Sequence, residues 1–550
     1  MNIIIEIQKA FEAFLQDTFS FSPDIIASCS LTINSDEKKQ AFGDLSSNAA
    51  LILAKHAQKN PRALAASFAE QFKHPAIKAA EIAGPGFLNF HLTDAAFKDL
   101  ARTLFIQKHD FYKHIPQLER QRFCLEFVSA NPTGPLHFGH GRGGIIGDVL
   151  GNVLSFLGHD VVKEFYINDA GSQIIKLGRS FKIRCQQAAG QEASLPEDGY
   201  HGTYLISLAN EFMATHSSEI LIKPDEFFAD YAKQELLNHI KKTLQSYGIV
   251  FDVWFSEKTL HESGAIDRAV DLLCTKGYCL EKDDALWFRS TDFGDDKDRV
   301  IRKADGQWTY VAADIAYLLN KAERGYNRLI MVLGHDHHSF ALRLQALAQA
   351  LELKESSLEV ILYQLVKMKE DGQLVQMSKR AGTMITLGDV INSVDVDVAR
   401  FFYLHRKTDA QLDFDLELAL KKTDANPVYY VQYAYVRTKS ILAKAAQELD
   451  YVPSSDNDTF FISATDHILI KKMVSLKELL EAIGHNHQTH LLSYYSIELA
   501  DLFHRYYSMH RVIDSDAPEQ TKGRLLLITL LKENFELVLT LLGISCPEKM

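Results

Sequence analysis

Two histidines three residues apart lie in a loop rich in glycine and proline. The loop, ANPTGPLHFGHG, places His137 and His140 between a strand-like run at 123–128 and an apolar periodic segment that ends at Gly158. Such a loop lets backbone approach a ligand, and the start of a helix offers N–H groups to phosphate. The imidazoles could stabilise charge on a breaking phosphoryl bond. The pattern favours a nucleotide site, with a plain turn carrying two surface histidines as the alternative.

Two further segments carry residues suited to ligand binding. LVQMSKRAGT at 374–383 places Lys379 in a flexible loop, where it could clamp phosphate or form a solvated basic turn. Tyr310 and Asp314 are four residues apart and would share one face of a helix predicted to start near Ala312. Alone, Asp314 would be read as a helix-capping carboxylate.

The segment GHDHHSF at 334–340 could be a metal site or part of a nucleotide site. It lacks a further ligand at a zinc-like spacing, and consecutive side chains cannot all point at one ion. It follows LIMVL at 329–333, an apolar run typical of a buried parallel strand. Nucleotides bind at the carboxyl ends of such strands. The pattern therefore favours Gly334 and His335 as adenosine-site residues, and no metal ligand is predicted.

The elements that must position these residues suggest a multidomain α/β protein. Two strand–helix–strand crossovers indicate a Rossmann-like parallel sheet with a large insertion. After residue 426 the strand signals give way to helical periodicity. The predicted parts are a small N-terminal α/β domain at 1–110, a catalytic domain at 115–395 with an insertion at about 180–300, a connector at 396–425, and an all-α domain at 426–550.

Composition narrows the class of protein. The 550 residues are 47% hydrophobic and 24% charged, with a formal net charge of −12, so bulk charge does not make the chain a polyanion binder. Six cysteines without a CxxC pair argue against a disulfide framework or zinc ribbon and fit a reducing cytosol. Neither a signal peptide nor a membrane span is indicated. We expect a cytoplasmic protein.

The motifs together resemble a known family. An early HxGH and a late MSK that flank a split Rossmann sheet resemble the HIGH and KMSKS signatures of class I aminoacyl-tRNA synthetases. Over nearly the whole chain, the sequence resembles the arginyl-tRNA synthetases in the segments GDLSSNAALILAK, GPGFLNFHL, EFVSANPTGPLHFGHGRGG, EFYINDAGSQI, LGHDHHSF, VQMSKRAGT and NPVYYVQYAYVR. Another class I synthetase, a small nucleotidyltransferase and a non-catalytic tRNA-binding paralogue are the alternatives.

The resemblance implies an enzyme that activates L-arginine with ATP and Mg²⁺ and transfers it to the 2′-OH of the terminal adenosine of tRNA(Arg), working as a monomer. It implies catalytic roles for His137, His140 and Lys379. The HIGH region comprises Ala130, Asn131, Pro132, Thr133, Gly134, Pro135, Leu136, His137, Phe138, Gly139 and His140. ATP is expected at Gly139, Gly334, His335, Met377, Ser378 and Lys379.

The remaining implied roles concern arginine and tRNA. Arginine is expected to contact Glu126, on a strand edge, together with Asn131, Tyr310 and Asp314. The N-terminal domain is expected to touch the tRNA D loop through Phe87 and Asn89, although Phe87 could instead be a core residue. The C-terminal domain resembles the DALR anticodon-binding fold, with Tyr430 and Tyr433 as tRNA contacts. Gln376 and Arg380 depart from the first and last positions of KMSKS.

Overall fold

The computed structural model describes residues 2–36, 42–113, 120–353, 357–370, 372–374, 385–449, 451–454 and 462–550. The chain divides into two units. After the roles that the family resemblance implies, we call them the catalytic unit (115–421 and 487–490) and the tRNA unit (1–114, 422–486 and 491–550). None of the described helices combines the length and apolar character needed to cross a bilayer.

The N-terminal part of the tRNA unit is an antiparallel sheet of order β1-β2-β4-β3 packed against helices. Phe11, Phe68 and Phe90 lie in its core. In its fourth strand in chain order, the alternate residues Leu88, Phe90 and Leu92 are all buried. The elements are α1 (Ile3–Phe19), α2 (Pro23–Ile26), β1 (Leu31–Ile33), β2 (Leu45–Ser47), α3 (Ala49–Ala57), α4 (Pro61–Gln71), β3 (Ile77–Ala83), β4 (Phe87–Leu92) and α5 (Asp94–Gln107).

The catalytic unit is built on a five-stranded parallel sheet of order β12-β11-β5-β6-β7. The prediction of a Rossmann-like sheet with an insertion is confirmed. Helix α6 packs so tightly on the central strand β5 that a Cβ at Gly147 would lie 2.3 Å from the Phe127 ring. The first elements are β5 (Arg122–Phe127), α6 (His140–Leu157), β6 (Asp160–Ile167), α7 (Ser172–Ala188), α8 (Thr203–Thr215), α9 (Asp225–Ser246), β7 (Val253–Ser256), α10 (Lys258–Glu262) and α11 (Ala265–Thr275).

The rest of this unit adds two small sheets, of order β10-β9-β8 and β14-β13-β15. Strand β7 lies within the range predicted for the insertion but joins the parallel sheet, so the insertion is interrupted. The later elements are β8 (Cys279–Lys282), β9 (Ala285–Phe288), β10 (Arg299–Arg302), α12 (Tyr310–Glu323), β11 (Arg328–Gly334), α13 (His338–Ala350), β12 (Leu358–Tyr363), β13 (Val366–Glu370), β14 (Gln373–Leu374), α14 (Leu387–Ser393), α15 (Val396–Leu404), β15 (Leu412–Asp415) and α16 (Leu416–Leu420).

The C-terminal part of the tRNA unit is helical throughout its described residues, which confirms the prediction of an all-α domain. Its helices are α17 (Pro427–Leu449), α18 (Asp466–Asn486), α19 (His490–Met509) and α20 (Pro518–Leu542). A buried hydrogen-bond chain ties this part to the segment after α5, because Asn534 donates to the Tyr112 hydroxyl at 2.8 Å and accepts from Tyr495 at 2.9 Å.

One cysteine pair differs from the expectation. Cys274, near the end of α11, is disulfide-bonded to Cys279 at the start of β8. Cys29, Cys124, Cys185 and Cys546 are not disulfide-bonded. A separation of five residues is not a CxxC motif, so the spacing rule gave no signal for this bond.

Candidate active site

A cleft of about 1450 Å³ opens at the carboxyl ends of the central strands of the catalytic unit. This is the edge of a parallel sheet where ligands bind. Its walls come from the glycine-rich loop after β5, the start of α8, and the facing sides of α12 and α13. The site predictions that line it are Glu126, Ala130, Asn131, Thr133, Gly134, Pro135, His137, His140, Asp314 and Gly334.

The chain leaves β5 through a strained turn. Val128 and Ser129 have φ of +68° and +42°, a region that a β-branched residue such as valine rarely adopts. The Ser129 hydroxyl donates to Glu126 at 2.9 Å and accepts from the Tyr166 N–H at 3.1 Å. These two bonds hold a conformation that costs on the order of 1–3 kcal/mol per residue, and so they fix where the loop begins.

The rings of the two histidines in the HIGH region are each contacted by a backbone N–H group. The Gly139 N–H donates to Nδ1 of His137, and the His137 N–H donates to Nδ1 of His140, each at 3.0 Å. A backbone N–H can only donate, so Nδ1 of His137 accepts, and the neutral His137 ring carries its proton on Nε2, where it can be offered to a phosphate oxygen. Nδ1 of His140 also lies 3.2 Å from His137 O, a contact in which Nδ1 would be the donor, so the donating nitrogen of His140 depends on its tautomer.

Backbone hydrogen bonds join the HIGH region to the segment that begins at Ile385. The Phe138 N–H donates to Ile385 O at 3.1 Å, and the Leu387 N–H donates to Leu136 O at 2.8 Å. Met377, Ser378 and Lys379 lie outside the described residues, as do Gln376 and Arg380.

Asp314 is a buried carboxylate that reaches the cleft from α12. The helix begins at Tyr310 and not near Ala312, and its N-cap is Thr309, whose hydroxyl accepts from Val311 N. Asp314 is therefore not the capping residue. Burial raises its pKa to about 7, an effect that nearby Arg343 opposes and Glu257 reinforces. An ion pair of 3.0 Å joins Asp314 Oδ2 to Arg343.

The other predicted arginine and nucleotide residues take varied positions. Tyr310 is 66% exposed and does not line the cleft; its ring lies 4.8 Å from the Arg343 guanidinium. Asn131 lines the cleft and donates to Gln173 at 2.9 Å. His335 does not line the cleft, whereas its neighbours Gly334 and Asp336 do.

Glu126 lies in a buried ionic network and not on a strand edge, so that expectation is wrong. Its strand, β5, is hydrogen-bonded to β11 on one side and to β6 on the other. Glu126 is 3% exposed and accepts from the fully buried Lys321. Glu164 accepts from Tyr317 at 2.6 Å and from Arg324. Two carboxylates are thus balanced by two cations, as buried charges require.

The predicted D-loop contacts differ in exposure. Phe87 is 41% exposed, so it is not a core residue. Asn89 is 2% exposed, and its Oδ1 accepts from the Ser46 hydroxyl at 2.6 Å. In this structure Phe87 is presented at the surface and the Asn89 amide is not.

Among the C-terminal helices, Tyr433 belongs to an exposed cluster that we call the aromatic patch, defined as Tyr433, Arg437, His504 and Tyr507. Arg437 lies 4.4 Å from the Tyr433 ring centroid and 4.7 Å from that of Tyr507. The His504 ring stacks on Tyr433 at 5.8 Å. Tyr430 adjoins the patch, and its hydroxyl donates to Asp501 at 2.8 Å. Stacked rings beside a guanidinium suit unpaired bases.

Sequence reasoning missed three cleft or network residues. Tyr204 comes from the insertion, and its hydroxyl donates to Thr133 O at 2.6 Å, so it fixes the HIGH region from outside the sheet. Glu257 lies near Asp314, and burial raises its pKa although Tyr166 donates a hydrogen bond to it. Lys321 follows Asp314 by seven residues on α12. Its helical spacing was the one available signal.

Comparison with known proteins places the chain in a class and then in a family. Residues 102–409 match the model described as tRNA synthetases class I (R), catalytic domain. Residues 5–92 match the arginyl tRNA synthetase N terminal domain, and 431–550 match the DALR anticodon binding domain. The chain is thus a class I aminoacyl-tRNA synthetase by its catalytic domain.

Individual relatives narrow this further. The chain is 40% identical to an arginine–tRNA ligase of Moorella thermoacetica over 100% of both sequences, and 42% identical to one of Geobacter sp., covering 92% of this chain and 93% of that one. The Thermus thermophilus arginyl-tRNA synthetase structure has a TM-score of 0.76 at 20% identity over 100% of both chains, which shows the fold alone. The chain belongs to the arginyl-tRNA synthetase family.

Proposed function

We propose that the cleft of the catalytic unit binds arginine at Asp314 and ATP at the HIGH region, within a chain that charges tRNA with arginine. The observation that carries this proposal is a buried carboxylate, Asp314, that faces the same cleft as the paired histidines. A guanidinium is a planar cation that carboxylates recognise strongly when desolvated.

In the activation step, the arginine carboxylate attacks the α-phosphorus of ATP and pyrophosphate leaves. His137, through Nε2, and His140 donate ring N–H groups to phosphate oxygens, whose charge grows as the phosphoryl bond breaks. Lys379, in the second signature motif, adds a positive charge. No side chain needs to remove a proton, so catalysis is chiefly positioning and charge stabilisation. Mg²⁺ enters with ATP as part of the substrate.

At the arginine site, Asp314 takes the guanidinium, with Glu257 nearby as a second carboxyl group. Tyr310 would cover the guanidinium after a change of side-chain position, because its ring now lies over Arg343. Asn131 would hold the substrate carboxylate. Glu126 would meet the α-ammonium, although Lys321 already neutralises much of its charge. In the second step, a ribose hydroxyl of the terminal adenosine attacks the carbonyl carbon of the adenylate, the acyl–phosphate bond breaks, and AMP leaves as the hydroxyl loses its proton.

For tRNA binding, we assign the D loop to the N-terminal sheet and the anticodon to the aromatic patch. Phe87 supports the first assignment because an exposed phenylalanine can stack on an unpaired base. Tyr430 and Tyr433 support the second. We infer a cytoplasmic monomer, the compartment following from the substrates.

The experiment is tRNA-dependent charging with labelled arginine, comparing the wild type with Asp314→Asn. We expect the variant to raise the arginine KM strongly and to leave the ATP KM nearly unchanged. Losing a buried charged partner costs about 2–5 kcal/mol. A normal arginine KM in this variant would show that Asp314 does not bind arginine. An equal rise in both constants would indicate general damage to the cleft.

A further inference from the structure

Arg343 is a nearly buried cation next to the proposed arginine site that the proposed function does not use. It lies on α13 and is 9% exposed. Its guanidinium is 3.0 Å from Asp314 Oδ2 and lies over two rings, 4.8 Å from that of Tyr310 and 4.6 Å from that of Phe340. Asp314 and Phe340 line the cleft, whereas Arg343 does not. The ion pair therefore reaches Asp314 from behind the cleft wall.

This placement matters because the surroundings of Asp314 disfavour its ionised form. It is buried, and both Glu257 and Glu126 lie close enough to disfavour its charge. Glu126 is balanced by Lys321, and His261 interacts with Glu257. Arg343 is the cation in contact with Asp314 itself. A planar guanidinium flanked by two rings is held in one orientation, so it also fixes the carboxylate that it meets.

The charges around Asp314 also favour a cationic substrate. Asp314 lines the cleft and Arg343 contacts its Oδ2, whereas Glu257 lies near Asp314 without lining the cleft. Arg343 meets one carboxylate oxygen, so the carboxylate can still accept from an incoming guanidinium, an arrangement that favours a cation over a neutral side chain.

We propose that Arg343 is a positioning residue for arginine recognition, which favours the ionised form of Asp314 and orients it from the side opposite the substrate. The proposal rests on the proposed role of Asp314. It predicts that Arg343 governs the arginine KM without touching arginine.

The test uses the full-length enzyme in tRNA-dependent charging, with arginine KM, ATP KM and kcat measured separately. The variants are Arg343→Gln, Arg343→Lys and Asp314→Asn. The matched control is Arg328→Gln. Arg328 pairs with Glu359 near the amino-terminal ends of β11 and β12, whereas the cleft lies at the carboxyl ends of the strands. We expect Arg343→Gln to raise the arginine KM by about tenfold or more, with the ATP KM within about twofold.

Two further readouts separate positioning from simple packing. Arg343→Lys should recover part of the lost affinity, since it keeps the charge but not the fork. In Arg343→Gln the fall of the arginine KM with rising pH should lie at higher pH than in the wild type, because loss of the Arg343 charge raises the pKa of Asp314 further. If Arg343→Gln does not fold, a selective rise in the arginine KM of Arg343→Lys is the expected result, and an unchanged value overturns the proposal.

The outcomes distinguish this proposal from the one on which it rests. A normal arginine KM in Arg343→Gln beside a raised one in Asp314→Asn would overturn only the role of Arg343. A normal value in Asp314→Asn would overturn both. Equal changes of the arginine KM in Arg343→Gln and Arg328→Gln would show that Arg343 contributes only to the general stability of the protein.

Discussion

Replacing Asp314 by asparagine should stabilise the catalytic unit at neutral pH while it removes arginine binding. Burial raises the pKa of Asp314 from 3.8 to about 7, against the opposing effect of Arg343. A folded-state pKa above the unfolded value means that the folded state binds the proton more tightly. The contribution of Asp314 to the free energy of unfolding is therefore largest below about pH 4, falls as pH rises to about 7, and levels off above it.

The magnitude follows from this shift. At about 1.4 kcal/mol per tenfold change, ionising Asp314 in the folded state costs up to about 4 kcal/mol. Asparagine avoids that cost, and the 18% exposure of the Asp314 side chain reduces the expected gain to about 1–3 kcal/mol at pH 8. Near pH 4 Asp314 of the wild type is protonated, so the difference in stability between the wild type and Asp314→Asn should nearly vanish.

The assay is urea unfolding of the full-length protein followed by tryptophan fluorescence at several pH values. All three tryptophans, Trp254, Trp287 and Trp308, lie in the catalytic unit, so the signal reports that unit. Asp295→Asn is the control of opposite sign. Asp295 is buried, but its contact with Arg299 lowers its pKa to about 2, so its loss should destabilise at pH 7. A less stable Asp314→Asn at pH 8, or a pH-independent difference, would refute the reasoning.

Three other predictions concern catalysis and tRNA. Lys379→Ala should lower kcat for adenylate formation by about 10²–10³ with little change in the ATP KM, whereas Gln376→Ala should do far less; equal damage would mean that geometry and not charge matters at position 376. Phe87→Ala should raise the tRNA KM with an unchanged circular dichroism spectrum, and a lost fold would speak against the surface role. Pyrophosphate exchange should require tRNA, since the acceptor end is expected to complete the site; a rate without tRNA equal to that with it would contradict this.

The sheet could be predicted from the sequence because its central strands are unambiguous. Strand β11 is a continuous apolar run, and the glycines of α6 match a helix that must lie against β5. Strand β7, VWFS, is short and only partly buried, so nothing in its pattern distinguished it from the insertion around it. Its place is decided by pairing with β6, a contact between distant residues.

The candidate site could be predicted only where a motif carries it. The HIGH region was indicated by a short spacing within one segment of sequence, and the role of Asp314 came from the resemblance to the family. Arg343 and Glu257 gave no such signal, because Arg343 contacts Asp314, and Glu257 lies near it, from separate elements. The environment of Glu126 was misjudged for the same reason, since its partner Lys321 lies 195 residues away along the chain.

The charge arrangement also indicates which end of arginine decides specificity. Glu126 and Glu164 are matched by Lys321 and Arg324 before any substrate arrives. An α-ammonium, which every amino acid carries, would therefore find a carboxylate that is already satisfied. Asp314 contacts Arg343 through one oxygen and lines the cleft, so it keeps capacity for a second guanidinium. That capacity lies where the guanidinium is proposed to bind, and discrimination follows from the group that distinguishes arginine from other amino acids.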